Sequence, residues 1–238
     1  MSNVAYIVKA LLRRGPAFIL LYLRESLAFD IVHRTNTHLR VPRASQPSGG
    51  SDYHDGVLYV ASLTSVIRRT LAVAACTLGE ERFREAQFFD LGCGKGKTLL
   101  VYAMHYSQHA KYAAVGIEYE PALWEIARTN ARKLGSAGRA IELHCDSALN
   151  IERYIKSPIL VIYLYNPFHG KTLRSFLSRI AKYPHVLIYV DPVEKDLLQE
   201  YGYRIQASNR GRYNASTWLV ASNYGTGPSL PQANVGAA

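Results

Sequence analysis

The stretch FFDLGCGKGKTLL, Phe88 to Leu100, holds the densest set of residues able to do chemistry. Its Gly96-Lys97-Thr98 has the ending of a phosphate-binding P-loop, in which glycine, four residues and Gly-Lys-Ser/Thr curl around a phosphate. Counting back from Gly96 puts Leu91 where the first glycine must stand, and Gly92 falls one residue late. A dinucleotide fingerprint fails too, because Lys97 occupies the place of its third glycine. What fits is acid-x-Gly-x-Gly-x-Gly, with Asp90, Gly92, Gly94 and Gly96 ending an apolar run. The glycines allow a sharp turn and close approach of a ligand to the backbone. Asp90 can accept hydrogen bonds from an ammonium group, which suits a cationic amino acid joined to a nucleoside.

The elements around this loop alternate. Strands are expected at Gln87–Leu91, Ala113–Glu118, Ala140–His144, Ile159–Leu164 and Val186–Val190. Helices are expected at Leu63–Leu78, Lys97–Tyr106, Pro121–Leu134 and Leu173–Lys182, with a short turn near Ile151–Ile155. Apolar strands separated by helices predict βαβ units and a parallel sheet covered on both faces. A helix near Lys195–Tyr201 then precedes Tyr203–Ala207 and Ser216–Ala221, which a short polar link joins as an antiparallel pair. The fold class is α/β: five parallel strands plus a terminal hairpin.

The 238 residues can bury one large core, and 48% hydrophobic with 19% charged residues suits a globular chain. The net charge of +10 favours an acidic partner, whether nucleic acid, an anionic membrane surface or an acidic protein, without choosing among them. The three cysteines, Cys76, Cys93 and Cys145, have no metal-ligand spacing, and the eight histidines do not cluster, so no metal site is expected. Each cysteine lies in or beside an apolar run, which predicts buried thiols in a reducing compartment.

Residues 1–45 read as a basic helical extension, with helices over 3–13 and 17–29 and seven basic against two acidic side chains. Such a segment docks on the body of the protein or serves as an arm for a membrane surface or partner. Its longest uncharged run, Gly15 to Leu23, falls short of the roughly 18–20 residues that span a bilayer. No small-x-small cleavage site follows it, so a cytoplasmic protein is expected. Residues 46–56 read as a linker loop, 57–224 as the main domain and 225–238 as a disordered tail.

FFDLGCGKGKTLL followed by AAVGIEYEPALWEIARTNARKL resembles the first two motifs of the class I S-adenosylmethionine-dependent methyltransferases. The similarity covers roughly residues 57–223 and implies a Rossmann-like, seven-stranded, mostly parallel sheet. It implies S-adenosyl-L-methionine as cofactor, with Asp90 and the three glycines at its methionine end. It also implies that Glu118 binds the ribose hydroxyls and that Asp146, with Ser147 beside it, caps the adenine amino group.

The same resemblance places VIYLYNPFHG at the reactive methyl group. Asn166-Pro167-Phe168 is similar to the Asn/Asp-Pro-Pro-aromatic loop of amino-group methyltransferases but lacks the second proline. There the Asn166 side-chain oxygen would accept a hydrogen bond from the target N–H, and Phe168 would pack against the target or the sulfonium. A plain turn after a strand is the other reading of Asn166-Pro167. His169 is a second group that could take the proton. Tyr59 either approaches the methionine end or is a core aromatic, and Tyr53 and His54 belong with it.

The resemblance thus implies N-methylation of a protein side chain or small molecule. A nucleic-acid acceptor is the alternative that the net charge favours. A non-catalytic, cofactor-binding scaffold held by the basic helices is a third.

Overall fold

The computed structural model describes residues 20, 21, 23–39, 61–209 and 217–224. The expected helix 3–13, the linker 46–56, the tail 225–238 and Tyr53, His54 and Tyr59 lie outside them.

Seven strands form one sheet: β1 (Gln87–Leu91), β2 (Ala114–Glu118), β3 (Ile141–Cys145), β4 (Leu160–Tyr165), β5 (His185–Val190), β6 (Arg204–Asn209) and β7 (Trp218–Ser222). Their spatial order is β3-β2-β1-β4-β5-β7-β6. The pairs among β1 to β5 are parallel, whereas β7 runs antiparallel to both β5 and β6. The terminal hairpin expected from the sequence is therefore present, with β7 inserted between β5 and β6.

Side chains alternate between the two faces of the sheet, as the period of two requires. Phe88, Val161, Tyr163, Ile188 and Val220 face one layer, built on the helices Thr64–Leu78 and Lys97–Tyr106. Phe89, Leu91, Ile162, Leu164 and Leu187 face the other, under the helix Gly170–Ile180. Central strands covered on both faces are buried along their whole length, so they read as unbroken apolar runs. Each fully buried Leu, Ile or Phe contributes about 1.5–3 kcal/mol by leaving water. Phe88 also stacks flat on Tyr102, with ring centroids 4.3 Å apart.

Several boundaries differ from the sequence expectation for physical reasons. The helix after β4 begins at Gly170, not Leu173, because the Glu194 carboxylate accepts a hydrogen bond from the Gly170 amide (2.8 Å). A six-residue helix, Glu80–Glu85, was not expected, since Phe83 is its one buried side chain and leaves no periodic pattern. Of the three thiols, only Cys93 is buried; Cys76 and Cys145 are exposed, so the expectation of three buried cysteines is corrected. Cys145 ends the edge strand β3, which a neighbour covers on one side only.

The expected helix 17–29 is helical at Leu20 and Leu21, and from Leu23 it is a π-helical turn, Leu23–Leu27, continued by an α-helix, Ala28–His33. It docks on the body: the Glu25 carboxylate accepts from the Ser65 amide (2.7 Å), and the Glu25 carbonyl accepts from the Thr64 hydroxyl (3.1 Å). Glu25 thereby satisfies an amide that the helix Thr64–Leu78 cannot pair internally. Among the described residues no helix is long and apolar enough to cross a membrane.

Candidate active site

β1, β2 and β4 end at the same edge of the sheet, since Asp90 lies beside Gly116 on one neighbour and Tyr163 on the other. The carboxyl edge of an open parallel sheet is where ligands of such folds bind. The glycine loop turns here. The Gly92 and Cys93 amides both donate to the Ile117 carbonyl (2.9 and 3.2 Å), which curls the loop over the end of β2. Gly92, Gly94 and Gly96 all have positive φ (66°, 54° and 82°), conformations that L side chains rarely adopt. Gly96 then opens the helix Lys97–Tyr106.

Asp90 and Glu118 are both buried, at 3% and 7% exposure. Burial, and then the charge of Glu118, pushes the Asp90 carboxyl up to about 8, against a hydrogen bond with Thr98 that pulls the other way. Glu118 is also raised by burial, although the Glu120 and Gly94 amides oppose this. Those amides bind its two oxygens separately: Gly94 N–H donates to Oε2 (2.6 Å) and Glu120 N–H to Oε1 (2.9 Å). The edge therefore carries two buried acids, with the Glu118 charge opposing ionisation of Asp90 and the Glu120 charge opposing that of Glu118.

Asp146 and Ser147 lie at the next strand end, where the Asp146 amide donates to the Glu118 carbonyl (3.1 Å). The Asp146 carboxylate accepts from Ser147 N–H, Asn150 Nδ2 and the Tyr154 hydroxyl, each at 2.7 Å. Burial opposes its ionisation, but these bonds and Arg153 hold its pKa below the usual range. Ser147 caps the 3-10 helix Ala148–Tyr154 by accepting from the Leu149 amide.

The Asn166-Pro167-Phe168 loop leaves β4 beside the glycine loop. Asn166 has φ 40°, and Asp191, at the end of the neighbouring β5, has φ 47°. Tyr165 pairs with Val190, so the two left-handed residues follow paired positions on adjacent strands. Non-glycine residues in this region cost about 1–3 kcal/mol and persist where the surroundings hold them. Tyr189 donates its hydroxyl to Asn166 Oδ1 at 3.4 Å. Phe168 is buried at 7% exposure and packs edge-on against Phe176. His169 Nδ1 is buried with no hydrogen-bond partner among the described residues.

Several residues here were not singled out from the sequence. Lys95 and Lys97 are almost fully buried, at 1% and 2% exposure. Lys97 Nζ donates to the Glu25 carbonyl (2.6 Å), and Lys95 Nζ donates to Asn36 Oδ1 (3.1 Å) and to the Leu39 carbonyl. Asn130 joins the same contact: it accepts from the Asn36 amide (2.9 Å) and donates to the Asn36 and Lys95 carbonyls (3.2 and 3.0 Å). The N-terminal segment is thus strapped to the glycine loop. Tyr119 follows Glu118 directly and is 38% exposed. Its place directly after the motif acid was a usable signal. On the helix side, buried Tyr163 donates to Ser62 Oγ (3.1 Å).

No cluster of metal-ligating side chains is present among the described residues. No family model matches the chain, and no curated protein matches it in sequence. Solved structures do match. A protein of the NADB-Rossmann superfamily from Streptococcus agalactiae aligns with a TM-score of 0.51 at 14% identity, covering 68% of this chain and 69% of that one. A ribosomal protein L11 methylase from Lactobacillus delbrueckii subsp. bulgaricus aligns at TM-score 0.45 and 14% identity, over 65% and 78% of the two chains. An rRNA methylase from Streptococcus thermophilus aligns at TM-score 0.46 and 16% identity, over 66% and 94%. With the strand order, the first likeness defines the fold: a Rossmann-like α/β sheet with an antiparallel last strand.

Proposed function

We propose that the protein is an S-adenosylmethionine-dependent methyltransferase acting on a nitrogen of a protein side chain or small molecule. The observation that carries this reading is the pair of buried acids, Asp90 and Glu118, set around a loop of three left-handed glycines. Two adjacent buried carboxyls favour a cationic ligand, because a positive charge offsets both the burial and their repulsion. Glu120 Oε1 and Trp124 Nε1, buried two and six residues beyond Glu118 without hydrogen-bond partners among the described residues, leave further polar capacity there. The residues present fit the cofactor.

In this reading Asp90 accepts from the ammonium group, and the glycines let the methionine chain approach the backbone. Each Glu118 oxygen already accepts one amide and keeps a second lone pair for a ribose hydroxyl. Asp146 and Ser147 take the adenine amino group, and Tyr119 offers its face to the base. Tyr59 keeps its assignment to the methionine end by resemblance alone. The bound cofactor supplies an electrophilic methyl group on a sulfonium. Asn166 and Pro167 face that methyl, Asn166 accepting from the target N–H, while Phe168 anchors the loop in the core. Orientation and exclusion of water supply most of the acceleration in such a transfer.

A nucleic-acid acceptor is the second reading, favoured by the net charge of +10. Two measurements test these readings. Calorimetry should detect binding of S-adenosylmethionine or S-adenosylhomocysteine, weakened by about 1–3 kcal/mol in Glu118→Ala; absence of binding to either ligand overturns the proposal. Transfer of labelled methyl to cell extract, separated into protein, RNA and small-molecule fractions, then identifies the acceptor.

A further inference from the structure

The N-terminal segment turns its acids inward and several of its aliphatic side chains outward. Its two acids between residues 20 and 39, Glu25 and Asp30, are turned inward, at 6% and 4% exposure. Asp30 is saturated there, accepting from the hydroxyls of Thr35 (2.6 Å) and Thr37 (2.8 Å) and from the Thr37 and His38 amides. Four aliphatic side chains point outward, with Leu20 72% exposed, Leu23 43%, Ile31 68% and Val32 72%, while Phe29 alone of the large apolar residues is buried in the core. With Leu39, five of the eight large hydrophobics exposed among the described residues fall in this segment, so the patch is concentrated and not scattered.

The charge on the outer side has one sign. Arg34 is exposed, as are Arg68 and Arg69 on the helix Thr64–Leu78, against which Glu25 packs; Arg24 is exposed too, although its guanidinium donates to the Glu25 carboxylate (2.9 Å). No acid is exposed among the described residues from 23 to 79. In sequence, Lys9, Arg13, Arg14 and the uncharged run Gly15 to Leu23 precede the patch with the same combination of cations and apolar residues.

We propose that this outward face is a docking surface for an anionic lipid bilayer, lying in the interface plane without spanning it. Apolar side chains flanked by arginines match that environment on both counts, with hydrocarbon for Ile31 and Val32 and lipid phosphates for the guanidinium groups. An acidic soluble protein would satisfy the arginines but need not cover bare aliphatic side chains; a second copy of the chain would bring like charge against like charge. The proposal does not depend on the methyl-transfer reading.

Co-sedimentation of the full chain with vesicles tests it, using phosphatidylcholine alone or mixed with phosphatidylglycerol. Binding should be confined to the anionic vesicles, weaken as salt is raised, and fall at least about tenfold in the double variant Ile31→Glu, Val32→Glu. These side chains are solvent-exposed, so the thermal midpoint should stay near that of the parent. The reversal Arg68→Glu with Arg69→Glu should weaken binding independently, which keeps the test decisive if the first variant misfolds. Absence of binding to anionic vesicles overturns the proposal, as does binding that both variants leave intact. A dimer in sedimentation velocity that Ile31→Glu, Val32→Glu dissociates, without vesicle binding, assigns the face to a second copy instead.

Discussion

A side-chain carbon added to Gly92 would lie 2.5 Å from the Cβ of Pro167, so the glycine loop and the loop after β4 touch with no space between them. Gly92 also has φ 66°, which makes its conformation as restrictive as its surroundings. Gly92→Ala should cost about 2–4 kcal/mol, combining overpacking with a strained backbone. Pro167→Gly removes the opposing atom and should recover part of that loss in the double variant. Thermal unfolding of the four proteins measures the coupling. Equal penalties for Gly92→Ala in both backgrounds would assign the cost to φ alone.

Asp90 should trade stability against binding. Its carboxyl, near 3.8 in the unfolded chain, is pushed up to about 8 in the fold, first by burial and then by Glu118. Between these values the folded state keeps a proton that the unfolded chain has lost, so this group's contribution falls as pH rises through the window. Asp90→Asn removes the dependence, and the free variant should melt higher than the parent at pH 8. It should also bind S-adenosylhomocysteine more weakly, by about tenfold or more, because an amide cannot match a carboxylate for an ammonium group. A variant that melts lower at pH 8 and binds as the parent does would contradict both expectations.

The contrast between what the sequence revealed and what it hid follows from distance along the chain. β1, Gln87–Leu91, and the helix Lys97–Tyr106 fall where the sequence put them, because an apolar run, three glycines and a helical period are all local signals. The places of Asp90 and Glu118 near the ends of β1 and β2, and the turn at the glycines, were readable for the same reason. The roles of Lys95 and Lys97 were not: the sequence needs no partner for them, yet both are buried against residues 25–39. Phe168 shows a second limit. Its place in an Asn-Pro-aromatic loop gives no sign of the contact with Phe176 that accompanies its burial.

The strap between the N-terminal segment and the glycine loop should be separable from the fold. Lys97 Nζ holds the Glu25 carbonyl and lies 5.2 Å from the centre of the Phe29 ring. Lys97→Met keeps the length and apolar stem of the side chain but loses the donor and the charge. Local opening of the segment should become easier by about 1–2 kcal/mol while the sheet is retained. Trypsin cleavage at Arg24 or Arg34 should accelerate by about tenfold, with little change in the far-ultraviolet circular dichroism. S-adenosylhomocysteine should slow cleavage in the parent, since ordering the glycine loop orders what is fastened to it. An unchanged cleavage rate in Lys97→Met would place the fastening elsewhere, on Lys95 and Asn130.

Asn166 should affect turnover and not cofactor affinity. It sits at φ 40° beside the glycine loop, with the Tyr189 hydroxyl on its Oδ1 at 3.4 Å. That long bond leaves the oxygen able to take a second donor, the role proposed for a target N–H. Asn166→Ala removes the acceptor and places alanine in a left-handed conformation, whereas Asn166→Gly removes the acceptor and relieves the backbone. If the oxygen matters, both variants should lose about tenfold to a hundredfold in labelled-methyl transfer, the scale of one or two hydrogen bonds in the transition state. Both should keep the parent affinity for S-adenosylhomocysteine by calorimetry. If the residue only turns the chain, Asn166→Gly should transfer methyl as well as the parent and Asn166→Ala alone should be impaired. Asn166→Asp adds a third comparison: it keeps an acceptor and adds a negative charge. An amine that arrives as an ammonium must lose a proton before its lone pair attacks the methyl, and it regains positive charge as the N–C bond forms. It should therefore tolerate the added carboxylate better than an amide nitrogen, and the ratio of rates on the two kinds of acceptor reports which nitrogen the site takes.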